Sequence, residues 1–159
     1  MSVQREHQPN RPPARNAHAV DHLCSHIVYR VPFYDTDAMG VVHHANYLRY
    51  LELLRVHFME QHDEAYERYV AAGLNIVVTR VSIEYKKPCI FNDDISITGR
   101  LEWLKALSFG FSYVLMVEGK IVVTAATEHA MVGSDGKLKR IPAATRQRLS
   151  RLVVEPRVP

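Results

Sequence analysis

Residues 47–61 constrain this chain most, because they read as a helix with too little polar surface to stand in water. Tyr47, Tyr50, Leu51, Leu54 and Phe58 recur at helical spacing, and Leu48, Leu53, Val56 and Met59 make the remaining faces apolar too. Arg49, Glu52 and Glu60 are the charged residues on the other side. Such a helix is expected to be buried nearly all round, so another part of the chain must cover it. Four alternating runs follow, at 76–85, 95–103, 108–117 and 121–132, with no helix signal between them. The turn Glu118-Gly119-Lys120 makes the last two a hairpin. Residues 26–31, with Ile27, Tyr29 and Val31 alternating, add a first strand before the helix. Five strands around one buried helix predict an α+β fold, an antiparallel five-stranded sheet wrapped on that helix. The sheet's open edges call for a partner, so self-association is expected.

Smaller elements complete the plan. A second short helix is expected from Asp63, a good N-cap, to Gly73. Ser134-Asp135-Gly136-Lys137 closes the domain with a turn, and residues 141–152 predict a short exposed helix. Residues 1–22 mix Pro9, Pro12 and Pro13 with polar residues and favour disorder. The organisation is therefore an N-terminal extension over 1–22, one domain over 23–140, and a helix with a basic tail over 141–159.

Charge and cysteines exclude several function classes. The net charge is +3, but the two tails carry +1 and +3, which leaves residues 23–140 at −1. A domain with no basic surplus is not built for nucleic acid. Cys24 and Cys89 lie 65 positions apart with no metal or redox spacing, and a reducing cytoplasm is the expected home. The chain has no apolar run of membrane-spanning length and no apolar signal segment. A G-x-S-x-G elbow and a P-loop are also missing.

Chemistry concentrates just before the helix, in Tyr34-Asp35-Thr36-Asp37-Ala38-Met39-Gly40-Val41-Val42-His43-His44-Ala45-Asn46-Tyr47. Two carboxylates and two imidazoles fall within ten residues there. A loop feeding a helix N-terminus offers free N–H groups and a positive dipole end, which can hold negative charge developing on an oxygen. Together with a carboxylate and an imidazole, that arrangement suits acyl transfer. The same cluster of Asp35, Asp37, His43 and His44 has metal-ligand chemistry. Adjacent histidines are expected to point apart in regular backbone, however, and no metal is expected.

The run D-T-D-x-x-G-V-V-x-H-A-N-Y, followed by Glu52 and Arg55, resembles the hot-dog-fold acyl-CoA thioesterases of the 4-hydroxybenzoyl-CoA thioesterase branch. Within it, the chain is most similar to the group associated with the bacterial Tol-Pal system. The resemblance extends from Ile27 to Arg140, through Val81-Ser82-Ile83-Glu84-Tyr85, Pro88, Asp93-Asp94 and Leu107-Ser108-Phe109. It implies an α+β hot-dog fold, hydrolysis of a thioester of coenzyme A or acyl carrier protein to acid and thiol, and no cofactor or metal. It also implies a homodimer or homotetramer with active sites in the subunit interface.

The resemblance assigns roles residue by residue. The second Asp of D-T-D, Asp37, is implied to attack the thioester carbonyl or to activate water; an isolated Asp before a Gly-containing loop is more often a turn former. His44 is implied to act at the carbonyl, with its backbone N–H where the thioester oxygen is held. Tyr34, Gly40, Val41, Val42 and His43 would line the pocket, with Tyr34 supplying a hydroxyl that Phe33 lacks. Lys87 and Ser108 are the candidates for coenzyme A contacts. Glu52 is a competing carboxylate on the helix, read first as an ion-pair partner of Arg49 or Arg55. Two alternatives stay in view: a hot-dog dehydratase or hydratase, and a non-catalytic acyl-ligand-binding or interaction module.

Overall fold

A computed structural model describes residues 23–153; the extension over 1–22 and the last six residues of the basic tail lie outside it. Strand β1 (Cys24–Arg30) leads through a loop into helix α1 (Asn46–His62), and a short helix α2 (Tyr66–Ala71) follows. Strands β2 (Leu74–Tyr85), β3 (Asp94–Leu104), β4 (Ser108–Val117) and β5 (Lys120–Gly133) come next, then helix α3 (Ala143–Ser150). The five strands form one antiparallel sheet in the order β1-β3-β4-β5-β2. This is the expected α+β hot-dog arrangement, a sheet curved around one helix.

The alternation read in the sequence fixes which face of each strand meets α1. Ile95, Ile97 and Leu101 of β3, Phe109, Phe111 and Leu115 of β4, and Met131 of β5 are fully buried. They oppose Tyr50, Leu51, Leu54, Phe58 and Met59 of α1, each worth about 1.5–3 kcal/mol on burial. Phe58 meets Phe111 edge to face, with ring centroids 4.9 Å apart. Gly99 lets the helix approach this closely, because a β-carbon there would run into Leu54.

Three expectations are corrected. Helix α1 is not buried all round, because one sheet covers one side of it: Leu48 and Leu53 are exposed. Neighbouring Val78, Val81 and Tyr85 of β2 are exposed as well, so an apolar face of the chain lies open. Asp63 does not start α2; it follows the last residue of α1, and its buried side chain pairs with Arg148. The C-terminal helix is shorter than expected and is not a free surface element. It begins after Pro142, Leu149 is fully buried, and Thr145 lies 3.5 Å from the Tyr69 hydroxyl.

Candidate active site

The loop between β1 and α1 is folded on itself and pinned at several points. After a single 3-10 turn at Phe33–Asp35, Thr36 bridges Val42 in antiparallel fashion. The Asp37 N–H donates to the Val41 carbonyl (2.9 Å) and the His43 N–H to the Asp35 carbonyl (2.9 Å). Gly40 turns the tip with φ 75°, a conformation that strains any other residue. Val41 also bridges Ile90, and the Val42 N–H donates to the Cys89 carbonyl (2.8 Å). The Tyr85 hydroxyl donates to the His44 carbonyl (3.0 Å), so the end of β2 holds the base of the loop.

Asp35 is the anchor beneath this loop. It is 1 % exposed, and its carboxylate accepts from the hydroxyls of Tyr50 (2.7 Å) and Tyr29 (3.0 Å) and from the Arg49 guanidinium (2.7 Å). Its carbonyl also accepts from the Asn46 side chain (2.8 Å), tying the loop to the first residue of α1. Burial, then the hydrogen bond to Asp35, pushes the Tyr50 hydroxyl well above its ordinary range, so it stays a donor.

Asp37 stands differently. It is half-buried, and its Oδ1 accepts from the Met39 N–H (2.8 Å), a local turn of the kind Asp side chains favour. Its Oδ2 has no hydrogen-bond partner among the described residues. His44 is exposed at the threshold of α1, and its backbone N–H has no acceptor among the described residues. The neighbouring N–H groups are engaged: Ala45 donates to His43 Nδ1 (3.2 Å) and Asn46 to the His43 carbonyl (2.9 Å). The two imidazoles do not point apart as expected. The irregular backbone before α1 brings their centroids to 4.2 Å at 32°. Even so, no group of three or more His, Cys, Asp or Glu among the described residues is arranged to hold a metal ion.

The remaining candidates divide. Val42 is buried under the loop, Val41 is half-buried, and Tyr34 projects outward at 78 % exposure. Lys87 is exposed in the connection that pairs with the loop. Ser108 lies at the other end of the sheet: it pairs with Ala130, whereas Tyr85, beside His44, pairs with Val123. Within one chain, then, Ser108 is not brought to the loop. Glu52 is exposed and its Oε1 accepts from Arg55 (3.2 Å), the ion pair anticipated.

A second group of polar residues did not stand out in the sequence. Arg55, Tyr113, Thr127 and His129 line a cavity of about 240 Å³ between α1 and the β4-β5-β2 side of the sheet. Thr127 Oγ1 lies 2.9 Å from the Tyr113 hydroxyl and 2.7 Å from His129 Nε2. Burial lowers His129 to a pKa of about 3; the Arg55 charge adds to this and the Val77 carbonyl opposes it. His129 is therefore neutral at physiological pH. One signal was available: Thr127 and His129 share strand parity with Met131, which places two polar side chains on the core face.

Comparison with known proteins places the chain. The family described as "Thioesterase-like superfamily" matches residues 31–149. A hypothetical protein from Aquifex aeolicus has a crystal structure that superposes with a TM-score of 0.75 at 38 % identity, covering 79 % of this chain and 98 % of that one. A "Probable Thioesterase" from Bartonella henselae superposes with a TM-score of 0.71 at 28 % identity, over 75 % of this chain and 99 % of that one. A long-chain acyl-CoA thioesterase of Escherichia coli is 31 % identical over 98 residues, 60 % of this chain and 74 % of its own. The chain belongs to the thioesterase-like superfamily of the hot-dog fold. It is an enzyme of the thioester-hydrolase class.

Proposed function

We propose that the protein hydrolyses an acyl-CoA to the free acid and coenzyme A, with the β1–α1 loop as its reacting centre. One observation carries this reading: a single pinned loop presents a carboxylate oxygen at Asp37 and a backbone N–H at His44, both without partners among the described residues. Asp37 either attacks the thioester carbonyl carbon or takes a proton from the attacking water. When Asp37 attacks, the C–S bond breaks to leave a mixed anhydride, and water then cleaves its acyl–oxygen bond, giving the acid, restoring the carboxylate and supplying the proton for the thiolate. When Asp37 takes the proton of water, the tetrahedral intermediate expels the thiolate, which receives that proton. The His44 N–H, at the positive end of a 17-residue helix, holds the oxygen on which negative charge develops. The relatives named as acyl-CoA thioesterases support coenzyme A as the carrier, and an acyl carrier protein thioester keeps the same chemistry.

Gly40, Val41, Val42 and His43 shape the loop around the thioester, and Tyr34 and Lys87 flank it. Glu52 faces the acyl side, and Ser108 takes part only if a second subunit brings it near. The open apolar face made by Leu48, Leu53, Val78 and Val81 supports a homodimer or homotetramer. Similarity of the loop motif supports the Tol-Pal-associated group as the nearest branch, and a cytoplasmic setting fits two cysteines that share no metal or redox spacing. No helix among the described residues is long and apolar enough to cross a membrane. No metal or cofactor is invoked. The test is thiol release from short, medium, long and aromatic acyl-CoAs by the purified protein. Turnover of at least one, lowered about 10² or more by Asp37→Asn, is expected; no thiol release from any would overturn the reading.

A further inference from the structure

The cavity beside α1 has the composition of a ligand pocket and an unfinished polar end. Its walls include Leu48, Leu51, Val78 and Val81, and its polar groups converge from three elements: Arg55 of α1, Tyr113 of β4, and Thr127 and His129 of β5. The register explains the convergence, since Val78 of β2 pairs with His129 and Val81 with Thr127.

One buried cationic nitrogen in this cavity lacks a partner. Arg55 is 3 % exposed and always charged, yet its Nη1 makes no hydrogen bond. Its Nη2 contacts only Glu52 at 3.2 Å, and that carboxylate is 65 % exposed, so water shares it. His129 is 1 % exposed, and its Nε2 meets Thr127 Oγ1 at 2.7 Å. A buried guanidinium with half its fork empty is costly unless an acceptor arrives, and the group it fits best is a carboxylate. The Thr127 and Tyr113 hydroxyls can turn to donate to the same oxygens.

Position and size narrow the ligand. Arg49 and Glu52 line the same cavity, and Arg49 is paired with Asp35, two residues from Asp37. Arg49 thus links one side of the cavity to the residue that anchors the reacting loop, and Arg55 stands further along α1. At about 240 Å³ it is smaller than the roughly 300–1,000 Å³ usual for small-molecule pockets, which favours a short acyl body.

We propose that this cavity receives the far end of the acyl group and selects short acyl chains that end in a carboxylate, held by Arg55 with Thr127, Tyr113 and His129. The inference rests on the thioesterase reading and names its substrate class: the mono-thioester of a dicarboxylic acid.

The test compares adipoyl-CoA, hexanoyl-CoA and 6-hydroxyhexanoyl-CoA, which share a chain length and differ at the far end. The full-length protein is expected to favour adipoyl-CoA in kcat/KM by about tenfold or more, mainly through KM. Arg55→Met should bring that ratio towards one, and Thr127→Val should reduce it in part. Equal kcat/KM for adipoyl- and hexanoyl-CoA overturns the pocket assignment and leaves the thioesterase reading standing. An equal preference for the hydroxyl-ended substrate overturns the carboxylate. If no acyl-CoA is turned over, the thioesterase reading fails, and calorimetric binding of free adipate against hexanoate decides the pocket: no advantage for adipate sinks it. Should Arg55→Met not fold, an undiminished ratio in Thr127→Val overturns the proposal.

Discussion

Asp35 and Asp37 are the same side chain two residues apart, and the fold treats them in opposite ways. Asp35 is buried with three side-chain donors on its carboxylate, whereas Asp37 sits half-exposed with one backbone N–H on one oxygen. A carboxylate saturated with donors is a poor nucleophile and a poor base, because its lone pairs are already committed. A carboxylate with a free oxygen on a pinned loop keeps its reactivity and gains position. The difference teaches that one short motif can treat two like side chains differently: the first Asp fixes where the loop lies, and the second keeps an open carboxylate oxygen.

The largest expected effect breaks or confirms that division directly. Asp37→Asn keeps the shape and can still cap the turn, so the melting temperature should stay close to wild type. Loss of the base or nucleophile should lower turnover by about 10² or more. Asparagine at 37 with wild-type turnover would move the reacting carboxylate elsewhere.

The converse change is Asp35→Ala, which takes the shared acceptor from Tyr29, Tyr50 and Arg49. Buried hydroxyls left unpaired should cost about 1–3 kcal/mol of unfolding free energy, read by urea denaturation. Turnover should also fall, since the loop is no longer tied down, but by less than in Asp37→Asn. A variant of unchanged stability would show that Asp35 is no anchor.

His44→Ala sharpens the comparison along the backbone. Its ring is exposed and lies against His43, while its N–H, without an acceptor among the described residues, is the group proposed to hold the thioester oxygen. Alanine retains that N–H, so turnover should fall by less than about tenfold. A loss as deep as that of Asp37→Asn would assign the chemistry to the imidazole.

Local order made much of this legible from the sequence. Strand β4 is legible at its observed bounds because Phe109, Phe111, Tyr113 and Leu115 alternate without interruption. The loop's two carboxylates and two imidazoles are legible because they are close along the chain, and it is the resemblance of the motif that singles out Asp37 and His44. What failed was long-range. Asp63 looks like a cap until Arg148, 85 residues on, claims its carboxylate. The C-terminal helix looks exposed until Leu149 and Thr145 are packed. The anchoring of Asp35 needs Tyr29 and Tyr50 from two elements, and the polar cavity draws Arg55, Tyr113, Thr127 and His129 from three. Periodicity shows which face a residue takes, and not which distant residue it meets.

The smallest effect is expected at Glu52, the third carboxylate near the loop. It is exposed and pairs with Arg55 three residues along the helix, and such pairs contribute about 0.2–0.5 kcal/mol. Glu52→Gln removes the charge and keeps the length, so hydrolysis of hexanoyl-CoA should change by no more than about threefold. Gln can still accept from the Arg55 Nη2 through its amide oxygen, which keeps that side chain in place. The three carboxylates then differ by surroundings: Asp35 buried among donors, Asp37 with one open oxygen on the loop, and Glu52 in water. Glu52→Gln inactive beside an active Asp37→Asn would reverse the assignment, placing the reacting carboxylate on α1 and leaving Asp37 as a turn former.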